Sequence, residues 1–210
     1  EICACLVGSE MCIRDSYNYH KQMVGSGSAW STSDGQQMLW DAERTPVTMI
    51  AYAPFMSEAT PDASLTVNAL TNQSTEENVK SSDFLLMKAT VDPEQDLTAD
   101  GKLKISLNHA MSKLIIKITV NGTTDASMSK LGDMAINGAV VNATCDLSAA
   151  APVVVPAADA VVATVAPYKG TESCECILPP QKIAEGFSVN FSYDGKLYIW
   201  TAKELSLIHI

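Results

Sequence analysis

Short runs in which apolar and polar residues alternate recur along this chain, and helical periodicity is nearly absent. From Lys102 to Leu107 polar and apolar residues alternate strictly, which sets Leu103, Ile105 and Leu107 on one face, the pattern of a half-buried strand. From Leu114 to Val120 the apolar set is Leu114, Ile116, Ile118 and Val120. The parity switches from odd to even between the two runs, which predicts a bulge or bend across His109 to Lys113 that turns both sets toward one core. A further alternation of Phe187, Val189, Phe191 and Tyr193 runs into Asp194-Gly195 and then Leu197-Tyr198-Ile199-Trp200. Asp-Gly tolerates the positive φ angles of a type I′ turn, so this stretch reads as a two-residue hairpin with Gly195 at its tip. Such short runs, punctuated by Gly, Pro, Asn, Asp and Ser, predict an all-β chain of antiparallel strands packed as sandwiches.

Composition removes several classes of function. With a formal net charge of -10 and only 14 Lys and Arg, the chain has no electrostatic footprint for phosphate backbones, so nucleic acid is excluded as a partner. The Ala- and Val-rich stretch from Ala149 to Tyr168 contains Pro152, Pro156 and a central Asp159. Such an Asp alone costs about 3 kcal/mol at mid-bilayer, so the stretch is not a transmembrane span. His109 stands at the predicted bend and His20 in a polar leader; neither lies in a nucleophile motif, and Gly25-Ser26-Gly27-Ser28 is a connector rather than a G-x-S-x-G elbow. Asp92, Glu94, Asp96 and Asp100 are suitably acidic for Ca²⁺, but Leu97 occupies the place where an EF-hand-type loop needs Gly. Cys174 and Cys176 point to the same face of one strand and are poorly placed to bridge each other. Either pairs with Cys145 if the fold brings them together, or all three fill small core volumes as free thiols, the favoured reading. As a zinc site the three are one ligand short. The expectation is a non-enzymatic chain with no cofactor and no metal.

Several stretches share the pattern of a known family. The apolar strand, then Asn108-His109-Ala110-Met111-Ser112-Lys113-Leu114, then a second apolar strand resembles the fimbrillin family of Bacteroides-type bacteria. Trp40 followed by Pro46-Val47-Thr48-Met49-Ile50-Ala51-Tyr52-Ala53-Pro54 is similar to that family's W…P-x-T-F-x-A-Y-x-P strand, with Met49 in the usual aromatic place. Ser82-Asp83-Phe84-Leu85-Leu86 resembles its D-L-L-x-A segment, although Lys88 precedes Ala89 here. Cys176-Ile177-Leu178-Pro179-Pro180-Gln181 resembles its strand ending in P-Q, which leads to a Y-D-G-K-x-Y hairpin.

Both ends read differently. Leu205-Ser206-Leu207-Ile208-His209-Ile210 and Met11-Cys12-Ile13-Arg14-Asp15-Ser16 can be encoded by inverted repeats of one nucleotide sequence, which resembles a translated sequencing-library adapter. Residues 1–16 and 205–210 are therefore expected to be non-native and to make few core contacts, leaving an internal gene fragment between them.

The resemblance implies two transthyretin-like β-sandwich modules, residues 17–111 and 112–204, the second truncated. It also implies a structural subunit of a cell-surface pilus or adhesin, exported as an outer-membrane lipoprotein. Its partners would be other pilus subunits, joined by β-strand addition, and host or bacterial surface ligands. The residues expected to build the core and motifs are Trp40, Tyr52, Leu103, Ile105, Leu107, His109, Leu114, Ile116, Ile118, Phe187, Phe191, Gly195, Tyr198 and Trp200. A glycan-binding sandwich is the alternative. Burial of Trp30, Trp40 and Trp200 discriminates the two: a coplanar exposed pair favours sugar, and buried indoles favour structure.

Overall fold

The computed structural model describes residues 2–7, 19–26, 29–35, 40, 43–56, 63–120, 122, 124–183 and 185–202. In chain order the strands are β1 (Ile2–Val7), β2 (Tyr19–Ser26), β3 (Ala29–Thr32), β4 (Val47–Ala53) and β5 (Ser64–Asn68). A short helix α1 (Glu76–Ser81) follows, begun by the Thr75 side chain accepting the Asn78 backbone N–H. Next come β6 (Leu85–Val91), β7 (Asn108–His109), β8 (Ser112–Ile116), β9 (Thr119–Val120) and β10 (Thr124–Asp125). The last strands are β11 (Leu131–Val140), β12 (Asn142–Asp146), β13 (Val154–Pro156), β14 (Val162–Val165), β15 (Tyr168–Lys169), β16 (Cys174–Leu178), β17 (Ser188–Tyr193) and β18 (Lys196–Thr201). The fold is all-β and its named strand pairs are antiparallel.

The chain divides into two compact units. The first comprises Glu1–Leu65, Phe84–Ala110 and Asp146–Val153, and the second Thr66–Asp83, Met111–Cys145 and Val154–Ile210.

In the first unit one sheet has the order β3-β2-β1-β4-β6-β7. β4 lies between β1 and β6, and Met49, Ile50, Ala51 and Tyr52 are each at most 1% exposed. That unbroken burial explains the apolar run Met49-Ile50-Ala51-Tyr52, because a central strand covered on both faces has no side to leave polar. Ile2–Val7, in the segment expected to make few core contacts, pairs with β4 from Cys3↔Tyr52 to Val7↔Thr48 and with β2 on its other side, while residues 8–16 lie outside the described residues. The physical reason is that β4 offers a row of backbone N–H and C=O groups that must be paired, and ladder hydrogen bonds demand extended backbone rather than a particular sequence. Residues 205–210 lie outside the described residues.

The bend is also corrected. Lys102 to Leu107 forms no continuous strand; Leu103 makes an isolated bridge with Leu97. Leu103 and Ile105 pack with Trp40, Val47 and Met87 against Met49 and Val91 in the first unit. Leu114, Ile116 and Ile118 pack instead against the main cluster of the second unit. The odd and even sets thus face different cores, and the parity switch falls where the chain passes from one unit to the other at Ala110–Met111. Each set is in phase with its own core, so one shared core is not required.

In the second unit a four-stranded sheet, β14-β11-β17-β18, faces a three-stranded one, β15-β16-β8. Between them Leu131, Met134, Ile136, Ala139 and Val165 meet Cys174, Cys176 and Leu178, with Ile183, Phe187 and Val189 in the same cluster. The pairing of β11 with β14 shifts register between Ile136 and Ala139, where Gly138 adopts φ 79°. A Cβ at Gly138 would stand 3.0 Å from the Gly186 carbonyl oxygen, so both backbone angle and space require glycine. β13-β12-β5 forms a further sheet, and β9 and β10 a small ribbon.

Candidate functional site

The C-terminal hairpin pairs a largely covered strand, β17, with an exposed one, β18. It closes through Asp194 (φ 50°) and Gly195 (φ 75°), the two positive angles of a type I′ turn. β18 pairs with β17 from Ser188↔Thr201 to Tyr193↔Lys196 and ends its sheet. All six of its residues are exposed, including Leu197, Tyr198, Ile199 and Trp200. Directly opposed residues share a face, so Tyr198 and Trp200 lie on the same side as Phe191 and Val189, the side of the core. They were expected to supply core bulk, yet Tyr198 is 45% and Trp200 53% exposed. The reason is position: an edge strand has a neighbour on one side only, and its core-side residues need a strand of the facing sheet above them.

The aromatic rings form two contacts there. Phe191 and Tyr198 stack at 5.4 Å with planes 14° apart, while Phe187 meets Trp200 edge-on at 6.5 Å and 80°. Phe187 is buried and Phe191 half-buried.

The remaining expected residues are spread through both units. Tyr52 is buried, 6.0 Å from the Phe84 ring, and its hydroxyl donates to the Met56 carbonyl oxygen. Trp40 is half-buried and its Nε1 donates to the Thr45 carbonyl oxygen at 3.0 Å. Leu107 is half-buried. His109 is exposed on β7, a two-residue edge strand in which it pairs with Leu85.

Three polar residues carry structural work, and only two of them, Gln181 and Lys88, stood out in the sequence patterns. Gln73, fully buried, accepts the Ile177 N–H and donates to the Ile177 and Leu70 carbonyl oxygens. Gln181 does the same to Val140, accepting its N–H at 2.8 Å and donating to its carbonyl oxygen at 2.9 Å. Each side-chain amide thus imitates one residue of a neighbouring strand and satisfies a strand that would otherwise expose buried polar groups. Lys88, the departure from the D-L-L-x-A pattern, donates to the carbonyl oxygens of Leu147, Ser148 and Ala149. Its ammonium thereby holds the turn after β12. The P-Q pair marked Gln181 in the sequence; a lone Gln between Asn72 and Ser74 gave no signal.

Candidate chemistry elsewhere is consumed locally. Cys145, Cys174 and Cys176 are buried, and burial pushes Cys176 up to about 12 and raises Cys174 as well. Asp92 accepts from the Glu94 N–H and the Gln95 amide, and Asp96 from the Asp92 N–H. Asp100, held near Lys102 and Thr98 by hydrogen bonds, has its carboxyl lowered to about 2. Among the described residues no group of three or more His, Cys, Asp or Glu is placed to hold a metal ion, and no helix is long and apolar enough to cross a membrane.

Beside β8 lies a small apolar recess lined by Leu114, Leu178, Pro179, Gln181, Ile183 and Phe187.

The fimbrillin-like family profile matches residues 4–208. The chain belongs to that family. As a fimbrillin-like protein it is a cell-surface fimbrial subunit, structural rather than enzymatic. Solved structures agree in fold. A candidate cell adhesion protein from Bacteroides uniformis superposes with a TM-score of 0.66 at 16% identity, covering 99% of this chain and 81% of its own. A second, from Bacteroides ovatus, gives 0.63 at 16% identity over 98% and 77% of the two chains. A third, from Bacteroides thetaiotaomicron, gives 0.52 at 15% identity over 99% and 74%. No curated protein matches the sequence.

Proposed function

We infer that this fimbrillin-like chain is a building block of a surface pilus or adhesin that joins other subunits by β-strand addition. The observation that carries this reading is β18: a six-residue edge strand, exposed throughout, with Leu197 and Ile199 on one face and Tyr198 and Trp200 on the other. Edge strands normally carry a charge, a proline or a bulge that prevents pairing. In β18 the only such residue is Lys196, at its first position. An extended segment added to an exposed edge gains main-chain hydrogen bonds, and alternate side chains give it specificity.

The glycan-binding alternative is less favoured by the ring geometry. Trp200 stands edge-on to Phe187 and Tyr198 is stacked on Phe191, so the two exposed rings of β18 are each engaged with a different partner ring rather than set out as one flat platform.

The finer assignments follow the family: modules at 17–111 and 112–204, export as a lipoprotein, and anchoring at the outer membrane. Negative-stain microscopy and sedimentation of the purified chain test the assembly reading. Concentration-dependent oligomers, reduced by a Leu197→Lys and Ile199→Lys double variant, are the expected outcome; a monomer at all concentrations would refute it. Protease shaving of intact cells expressing the full gene tests the surface assignment.

A further inference from the structure

We propose that residues 70–82 are a clasp that opens as one local unit, ahead of the sandwich it closes. In its closed form it denies the second edge of β16 to another copy of this chain. The proposal does not depend on how β18 is used.

The first observation is a gap that the strands leave. β15 pairs with β16 at Tyr168↔Glu175 and Lys169↔Cys174. By the same register Ala166 would stand opposite Ile177, but the chain turns at Pro167, where it passes from β14 to β15. Ala166 is bridged in parallel to Asn72 instead. Its N–H donates to the Thr71 carbonyl oxygen and its own carbonyl oxygen accepts the Gln73 N–H, both at 2.8 Å. The Gln73 side chain reaches the other way, accepting the Ile177 N–H and donating to the Ile177 carbonyl oxygen, again at 2.8 Å each. One residue therefore joins the four-stranded and three-stranded sheets where the chain passes between them. Its backbone serves the end of β14 and its side-chain amide serves β16.

The second observation is what holds the segment down. Of residues 70–82 only Gln73 and Ser82 are buried, and α1 buries none of its side chains. Apolar burial thus contributes little, and the segment is held by hydrogen bonds in series. The Ser82 hydroxyl donates to the Asn78 carbonyl oxygen and accepts the Leu70 N–H, while the Leu70 carbonyl oxygen accepts from the Gln73 amide. Asn78 donates to the Asn72 carbonyl oxygen, and the Tyr168 hydroxyl to Glu76. A surface loop closed on itself by polar contacts, with few apolar ones beneath, belongs to the part of a fold that opens before the rest. The links run from Ser82 through Leu70 and Gln73 to Ile177, so they break together.

The third observation is what opening uncovers. The other edge of Cys176-Ile177-Leu178 is already taken by β8. Once Gln73 leaves, the N–H and C=O of Ile177 lose their partners in an apolar run without proline or charge, which is a template for pairing. The occupant is β16 of a second copy, because two identical strands related by a two-fold axis pair antiparallel and are complementary to each other.

Hydrogen exchange of the full chain, read residue by residue by NMR, tests the opening. The amides of Gln73, Ala166 and Ile177 should share one protection factor, at least about tenfold below that of the slowest amides of β11 and β17. Ser82→Ala removes a link that touches neither Ala166 nor Ile177, yet should speed exchange at both by about threefold or more. Unequal protection of the three amides, protection equal to the slowest, or no response to Ser82→Ala overturns the clasp. Gln73→Leu, close in size but with neither donor nor acceptor, tests the guard. It is placed in the Leu197→Lys and Ile199→Lys background, so that association through β18 does not mask the result. Sedimentation should show dimerisation at least about tenfold tighter than in the same background with Gln73 intact, and the Ile177 amide should regain protection as concentration rises. A Gln73→Leu chain that exchanges fast at Ile177 and stays monomeric overturns the guard. Should Gln73→Leu fail to fold, Ser82→Ala in that background replaces it: dimerisation that rises with its faster exchange supports the guard, and none overturns it.

Discussion

β4 and β8 are both apolar strands at the heart of their units, and they differ in one respect. β4 has β1 on one side and β6 on the other; among the described residues β8 has β16 alone. Met49 to Tyr52 of β4 are buried without interruption, whereas the core-side residues of β8, Ser112, Leu114 and Ile116, are half-buried. Sequence hydrophobicity does not separate the two, since Leu114-Ile115-Ile116 is as apolar as Met49-Ile50-Ala51. Burial here is a property of having both edges occupied. In the first unit Ile2–Val7 fills the place beside β4.

Removing that occupant breaks the contrast most severely. Deleting residues 1–16 strips β4 of a five-position ladder. At roughly 1 kcal/mol for each hydrogen bond, the first unit should lose about 3–5 kcal/mol, seen as an earlier thermal transition and faster proteolysis of residues 47–53. An unchanged melt would restore the reading of this segment as a passive leader.

Equal truncations should then cost unequal amounts. Met49→Ala removes a fully buried side chain and is expected to cost about 2–5 kcal/mol, whereas Leu114→Ala on the half-covered strand should cost about 1–2 kcal/mol by urea denaturation. Costs of the same size would mean that β8 is as fully covered in solution as β4. In the hairpin, Gly195→Val forces a β-branched residue to φ 75° in open space, so the penalty, about 1–3 kcal/mol, is purely one of backbone. A neutral result would show that the turn relaxes to another type.

The smallest effect over the accessible pH range concerns β16. Cys176 is raised from an ordinary 9.0 to about 12 by burial. The folded state keeps the proton that the unfolded state releases, so the stability contributed is complete below about pH 9 and declines as pH rises toward 12. Cys176→Ala should flatten that decline in denaturation midpoints measured between those limits. An identical slope would assign the alkaline loss to other groups.

How much was legible follows the range of each interaction. The hairpin at Asp194-Gly195 was readable because a positive-φ turn and period-two alternation are local facts, and the all-β class followed from the same alternation repeated along the chain. The apolar faces of Leu103 and Ile105, and of Leu114, Ile116 and Ile118, were also readable as faces. Which core each face met was not, because parity states only that neighbouring residues point to opposite sides. Gln73 escaped notice because its partner, Ile177, lies far along the chain and its backbone acceptance depends on where β16 lacks a neighbour.

The sequence by itself determined the strand period, the turn chemistry, the absence of a basic surface and, through its motifs, the family. Tertiary structure alone decided which edges are filled. Ile2–Val7 closes β4, amide side chains close Ile177 and Val140, and the edges of β8 and β18 stay free among the described residues. The reason is physical: side-chain alternation is written residue by residue, whereas the pairing of a backbone edge depends on any extended segment that arrives beside it, and backbone groups are the same in every residue but proline.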